Sequence, residues 1–334
     1  MLGTLEMHSV KYMVCVRCMT YNQSLYIVDA LNGFTMQKTN FPFVCTIIDD
    51  ASTDGEPEII RQYLNENFDI GDKTVVRNKE TDDYVLTLSR HRTNSNCYFA
   101  VFFLKYNHHS IRKSKKKYMS EWYDGVEYIA FCEGDDYWTD PNKLQKQVDY
   151  LEQHKDYSMC FHRANIKKEL EKDCPLLCND IEDREYNPNE LLAQWKVPTA
   201  AIVMRKICLS IKNKGPERIL NGDIIHILNC AKIGKIHGFS DEMSVYRVQG
   251  NGVTYNKGLR EYRIHRYPEH FLFIKDNYSF IDKKIIDKKI SKAYFLRGMI
   301  EKSFKLYFKD YMQAIYYRPM VLLDALKWVI NNKI

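Results

Sequence analysis

Three short apolar runs, each closing on a polar or acidic turn, constrain the fold of this chain more than any other feature. Tyr12 to Met19 is interrupted only by Arg17 and leads into Thr20-Tyr21-Asn22, followed by a helical pattern of apolar residues at Leu25, Ile27, Val28, Leu31 and Phe34. Phe43 to Ile48 runs into Asp49-Asp50-Ala51-Ser52-Thr53-Asp54-Gly55 and then a helix over Glu56 to Asn67. Tyr128 to Cys132 ends in Glu133-Gly134-Asp135-Asp136, and another helix starts near Asn142. Such runs, bounded by turn-formers and followed by helical periodicity, read as buried strands of an α/β sheet. Ligands of open α/β sheets bind beyond the carboxyl ends of the strands, so three polar strand ends define one pocket.

The third turn carries the most chemistry. Carboxylates as dense as Glu133, Asp135 and Asp136 repel one another, and they stay ionised in a folded protein when a cation or several hydrogen-bond donors hold them. Mg²⁺ or Mn²⁺ suits oxygen ligands of this kind and completes its shell with water and substrate phosphates. A nucleotide with a metal-bound pyrophosphate fits the pocket. The alternative is a solvated acidic turn, with Asp140-Pro141 capping the helix that follows.

M-T-Y-N at 19–22, I-D-D-A-S-T-D-G at 48–55, E-G-D-D-Y-W at 133–138 and N-G-D at 221–223 occur in that order. This set resembles the family 2 glycosyltransferases of the GT-A fold, over roughly residues 10–255. The resemblance implies an α/β architecture, a Rossmann-like mixed sheet flanked by helices, here with a C-terminal helical extension. It also implies an inverting hexosyl- or N-acetylhexosaminyl-transferase that uses a nucleotide-sugar donor and Mn²⁺ or Mg²⁺. Tyr21 and Asp50 match the positions that contact the nucleobase, with Thr20, Asn22 and Asp49 beside them, and a uridine nucleotide is the expected base. Glu133 stands at the first position of the Asp-x-Asp signature, where it departs from the pattern, and Asp135 stands at the last, the metal ligand. Asp136 supports the site. Asp223 matches the general base, although Asn221-Gly222-Asp223 before an apolar helix equally suits a helix cap. Many relatives continue with Tyr-Arg-x-His, whereas this chain reads Tyr246-Arg247-Val248-Gln249, and Gln249 cannot act as an imidazole base.

The expected organisation is a glycosyltransferase domain over 1–255, nucleotide-binding to about 120 and acceptor-binding beyond, then a basic helical extension over 256–334. Residues 255–334 carry 17 Lys+Arg against 8 Asp+Glu, so the net charge of +6 comes from this tail. Its lysines and aromatics suit either an anionic membrane surface, where lipid-linked acceptors reside, or a helical packing element with solvated charge. No nucleic-acid motif accompanies the charge, so no nucleic-acid partner is expected.

Segments 158–163 and 198–204 read as further strands, with His162 a packed histidine and Thr199 an acceptor-contact candidate. The basic cluster Arg112, Lys113, Lys115, Lys116 and Lys117 reads as solvated charge, with phosphate contact as the alternative. Ten scattered cysteines read as buried thiols; Cys15, Cys18, Cys174 and Cys178 could form a four-thiolate zinc site, but residues 15 and 18 of an extended strand point to opposite faces. No signal peptide and no bilayer-length apolar stretch is evident, so a cytoplasmic enzyme, peripheral at most to the membrane, is expected. The acceptor is expected to be a glycan or lipid-linked sugar in surface polysaccharide synthesis. Two other readings are a sugar-phosphate nucleotidyltransferase, which would call for a glycine-rich loop that Met19 to Gln23 lacks, and a non-catalytic nucleotide-sugar-binding module.

Overall fold

The computed structural model describes residues 10–71, 77–168, 180–215, 220–249, 257–301, 303–321 and 323. In chain order its elements are β1 (Val14–Thr20), α1 (Ile27–Thr35), β2 (Phe43–Asp49), α2 (Glu56–Asn67), β3 (Arg77–Glu80), β4 (Tyr84–Arg90), β5 (Cys97–Leu104), α3 (Lys116–Tyr123), β6 (Tyr128–Phe131), β7 (Tyr137–Trp138) and α4 (Lys143–Gln153). They continue with β8 (Tyr157–Lys168), β9 (Arg184–Glu185), α5 (Pro188–Ala193), β10 (Val203–Arg205), α6 (Gly222–Ile233), β11 (Lys235–Val248), α7 (Lys257–Asn277), α8 (Lys283–Ile300) and α9 (Phe304–Tyr317). The chain divides into two compact units: Met1–Tyr186 with Trp195–Ser210 and Cys230–Arg247, and Asn187–Gln194 with Ile211–Asn229 and Val248–Ile334.

The first unit is built on an eleven-stranded sheet in the order β3-β4-β5-β2-β1-β6-β10-β8-β11-β7, with β9 paired to β11. The central β5, β2, β1 and β6 are parallel, and β4 and β10 flank them antiparallel. Every residue of β2 and β5 is buried, as expected where helices cover both faces of parallel strands. Helix α1 buries Ile27, Ala30, Leu31 and Phe34, the i, i+3, i+4, i+7 stripe of an amphipathic helix. Leu25 precedes the helix and is 85% exposed, and Val28 faces outward, so Ala30 takes the place the sequence pattern gave to them. A Cβ at Gly33 would lie 2.8 Å from the Trp138 backbone nitrogen, so glycine lets α1 pack directly against β7. The Phe34 ring meets Phe99 and Trp138 edge-on, at centroid distances of 6.2 and 5.0 Å.

Segment 198–204 is only partly a strand: Thr199–Ala201 forms a 3₁₀ turn and β10 begins at Val203. Its carbonyls explain the difference, because Ala200 accepts the Trp138 indole N–H (2.9 Å) and Ala201 accepts the Gln147 amide (3.0 Å) instead of ladder bonds. The eight described cysteines are free and buried, while Cys174 and Cys178 lie outside the described residues.

In the second unit, Leu192, Ile225 and Leu228 pack with Phe273, Ile274, Tyr278, Ile281, Ile286 and Ile290. The Tyr278 hydroxyl donates to Asn229 Oδ1 (2.8 Å) inside this core. A Cβ at Gly298 would lie 2.8 Å from the Tyr311 ring, so α8 and α9 pack closely there. The Arg297 guanidinium grips both oxygens of buried Asp310 at 2.8 Å and reaches Glu269 at 2.9 Å. Among the described residues no helix is long and apolar enough to cross a membrane.

Candidate active site

Because β5, β2, β1 and β6 run parallel, their carboxyl ends open along one edge of the first unit. Thr20 at the end of β1 lies in register with Asp49 at the end of β2, and Asp49 with Phe103 near the end of β5. After β6 the acid loop crosses the end of β1, where the Cys132 N–H donates to the Arg17 carbonyl and the Gly134 N–H to the Met19 carbonyl, each at 3.1 Å. The structure thereby brings Thr20, Tyr21, Asn22, Asp49, Asp50, Glu133, Asp135 and Asp136 to one edge.

Each acid of the third turn has a different role. Glu133 folds back so that its carboxylate accepts the Met19 N–H (3.0 Å), and burial pushes its carboxyl upward against the nearby Arg17 guanidinium. Asp136 is buried and accepts the Arg247 N–H at 2.9 Å; burial first, then repulsion from Asp135, raises it well above the usual carboxylate range. Asp135 is partly exposed, and its carbonyl accepts from Arg247 Nη1 (2.9 Å). No group of three or more His, Cys, Asp or Glu side chains among the described residues is arranged to hold a metal ion by itself. Gly134 is required between these acids, since a Cβ there would sit 2.4 Å from Thr20 Oγ1 and 2.8 Å from Thr20 Cβ.

Two groups in this framework escaped the sequence reading. Arg247 is 4% exposed, pairs with Asp29 of α1, and lies 4.5 Å from the Tyr137 ring centroid and 5.0 Å from that of Tyr26. It clamps the acid loop to α1 across more than a hundred residues of chain, and only the Tyr246-Arg247 motif hinted at it. Glu56 read merely as a helix start, yet it is fully buried and gathers the turns after β1 and β2. It bonds to the Thr20 hydroxyl and accepts the Gln23 N–H and the Ser52 hydroxyl, both at 2.9 Å. Asn22, at a φ of 53°, bonds the Ser52 hydroxyl through its N–H (2.9 Å) and the Thr53 N–H through its side chain (2.8 Å). Tyr21 is 46% exposed at the mouth.

Asp50 accepts the N–H groups of His108 (2.8 Å) and His109 (3.1 Å), and Lys115 Nζ lies 2.5 Å from Oδ2. Oδ1, holding a single donor, keeps a lone pair for another. The lysine cluster is thus engaged rather than merely solvated, since Lys113 and Lys117 also bind Asp83, at 2.6 and 2.9 Å. His162 is buried on β8, the packed position expected of it.

Asp49 is 1% exposed, and burial pushes its carboxyl up to about 6, against the hydrogen bonds from Ser52 and with the Glu56 carboxylate adding to the rise. The folded state thus holds this proton more tightly than the unfolded chain, whose carboxyl titrates near 4. The resulting stability is present below about pH 4 and is lost as pH rises to about 6. Asp49→Asn should therefore melt with wild type near pH 4 and be more stable above pH 6, by on the order of 2–3 kcal/mol. Equal melting temperatures at pH 7.5 would contradict this.

Asp223 belongs to the second unit. Helix α6 opens at Gly222, which puts Asn221 at the capping position and Asp223, partly exposed, in the first turn. Gln249 is 9% exposed just after β11.

No family model matches the chain. Proteins of Mycobacterium tuberculosis and Mycobacterium bovis, described only as uncharacterized, are 30% identical over 248 residues, 71% of this chain and 59% of theirs. The chain thus spans about three-fifths of the length of the curated relatives it matches. Among solved structures, S. aureus TarS 1–349 in complex with UDP-GlcNAc superposes with a TM-score of 0.57 at 15% identity, covering 90% of this chain and 81% of that one. The same protein in complex with UDP gives 0.53 at 16% identity, covering 90% and 80%. The fold is that shared architecture, a GT-A-like mixed α/β sheet flanked by helices.

Proposed function

We propose that this chain is an inverting glycosyltransferase of family 2 that moves a hexose or N-acetylhexosamine from a UDP-linked donor to a hydroxyl of a glycan or lipid-linked acceptor. The observation that carries the reading is the convergence of Tyr21, Asp50 and the Asp135 loop at one edge of parallel strands. That TarS, of the same fold, is solved with UDP-GlcNAc and with UDP supports the donor class.

The exposed Tyr21 ring would stack on the base, and the open lone pair of Asp50 Oδ1 would accept the uracil imide N–H. Lys115, paired with Asp50 Oδ2, holds that carboxylate in place and leaves Oδ1 for the base. Thr20, Asn22 and Asp49 would line the nucleoside from the turns they knit together, and Glu133 and Asp136 would fix the acid loop. The donor set here is carboxylate and carbonyl oxygen, which fits Mn²⁺ or Mg²⁺ held by Asp135 together with donor phosphates and water. When bound, such an ion supplies Lewis-acid stabilisation to the departing nucleoside diphosphate. Asp223 would take the proton from the acceptor hydroxyl. We read the enzyme as cytoplasmic, serving surface polysaccharide synthesis, with its basic extension at the inner face of the membrane.

Thermal shift tests the donor class. With Mn²⁺ present, UDP at about a hundred times its Kd should add about 2.7 kcal/mol of stability. GDP should add less, and a cognate UDP-sugar should release UDP when an acceptor is supplied. Absence of stabilisation by any nucleotide, with or without metal, would overturn the proposal.

A further inference from the structure

We propose that the outward face of α9 is a docking surface for an anionic lipid bilayer, inserted through apolar side chains and only assisted by charge. The inference rests on the reading of a lipid-linked acceptor for its biological sense, but not for its geometry. Helix α9 packs into the second unit with buried Asp310 and Ala314, through the Arg297 pair and the Ser291 hydroxyl, which donates to the Ala314 carbonyl at 2.7 Å. On the opposite side, Phe304, Phe308, Met312 and Tyr316 follow one another at i, i+4 spacing. They are 81, 57, 49 and 78% exposed. At about 100° per residue these four span roughly 120° of the helix circumference, a continuous apolar stripe.

Large apolar side chains in water at this density mark a contact surface, because isolated exposed residues are ordinary and an aligned row is not. The charge on the stripe selects the occupant. Lys305 and Lys309 lie on the same face and make no ion pair among the described residues, and α9's lone acid, Asp310, is turned inward onto Arg297. Elsewhere in the extension, Lys275 is neutralised by Asp287 and Arg297 by Asp310 and Glu269. Acids of the extension are thus engaged by Lys275 and Arg297, while Lys305 and Lys309 of α9 make no ion pair among the described residues. An apolar stripe interleaved with lysines, on a helix whose lone acid is turned inward, fits the headgroup region of an anionic leaflet.

The test is sedimentation of the full chain with vesicles of phosphatidylcholine alone and of phosphatidylcholine with about 30% phosphatidylglycerol, which gives the second set an anionic surface. The intact protein should bind the anionic vesicles and bind the neutral ones more weakly. The triple variant Phe304→Ser, Phe308→Ser, Met312→Ser should lose binding at least about tenfold, since apolar burial sets the strength of interfacial attachment. Lys305→Gln with Lys309→Gln should lose up to about 30-fold at low salt, roughly 1 kcal/mol for each lysine, and less at high salt. These side chains point into water, so melting temperature and UDP-dependent stabilisation should stay at wild-type values, which separates failure of this surface from failure of the donor site. No binding by the intact protein, or equal binding by the triple variant, overturns the proposal. So does a concentration-dependent dimer that the triple variant dissolves without any vesicle binding, which would assign the stripe to a second copy of the chain.

Discussion

Asp135→Ala should abolish the metal-dependent part of nucleotide binding and lower sugar transfer by roughly 10³-fold or more, the rate equivalent of several kcal/mol of lost Lewis-acid stabilisation. Backbone hydrogen bonds shape the loop around this side chain. The Gly134 and Asp136 N–H groups donate to the Met19 and Glu133 carbonyls, each at 3.1 Å, and Arg247 holds the Asp135 carbonyl. Removing the carboxylate also relieves the repulsion that raises Asp136 and Glu133. The free variant should therefore melt at or above the wild-type temperature, while the shift produced by UDP with Mn²⁺ disappears. Calorimetric titration with UDP at fixed Mn²⁺ checks the first half, and release of UDP from the donor checks the second. Unchanged affinity for the metal–nucleotide pair would sink the assignment of Asp135.

How much of this was legible in the chain depends on the range of the forces involved. Strands β1, β2 and β6 are visible because a parallel strand buried on both faces is a bare apolar run, and the polar turns after them follow directly. Helix α2 coincides with the Glu56 to Asn67 pattern because Gly55, at a φ of 91°, and Pro57 mark its start locally. Arg247 and Glu56 were not legible in this way. Arg247 matters through Asp29, Asp136 and two tyrosine rings that are remote in sequence, and Glu56 through turns that only the fold brings together. Lys115 belongs to the same class: a lysine in a charged run carries no local sign that it will meet a carboxylate 65 residues away. Local pattern thus marked the strand ends that form the candidate site's edge, and the side chains that tie them together emerged only from the tertiary pairing.

Asp223→Asn should lower kcat by roughly 10²- to 10⁴-fold if this carboxylate takes the acceptor proton, with donor affinity retained. A purely structural role makes a different forecast. The helix opens at Gly222, so Asn221 precedes its first residue and Asp223 places a negative charge in the first turn. Losing that charge near a helix N-terminus costs about 0.3–1 kcal/mol of stability and, for a group without a part in the chemistry, nothing in turnover. Asparagine keeps the size and hydrogen-bonding outline of the side chain while removing its basicity, so the two roles separate in one pair of measurements. Steady-state transfer at saturating donor, together with thermal melting, decides between them. A variant that transfers within about threefold of wild type would place the base elsewhere. A variant that loses transfer while its melting temperature falls by no more than about 3 °C, the shift expected from that charge alone, would leave proton abstraction as the role of Asp223.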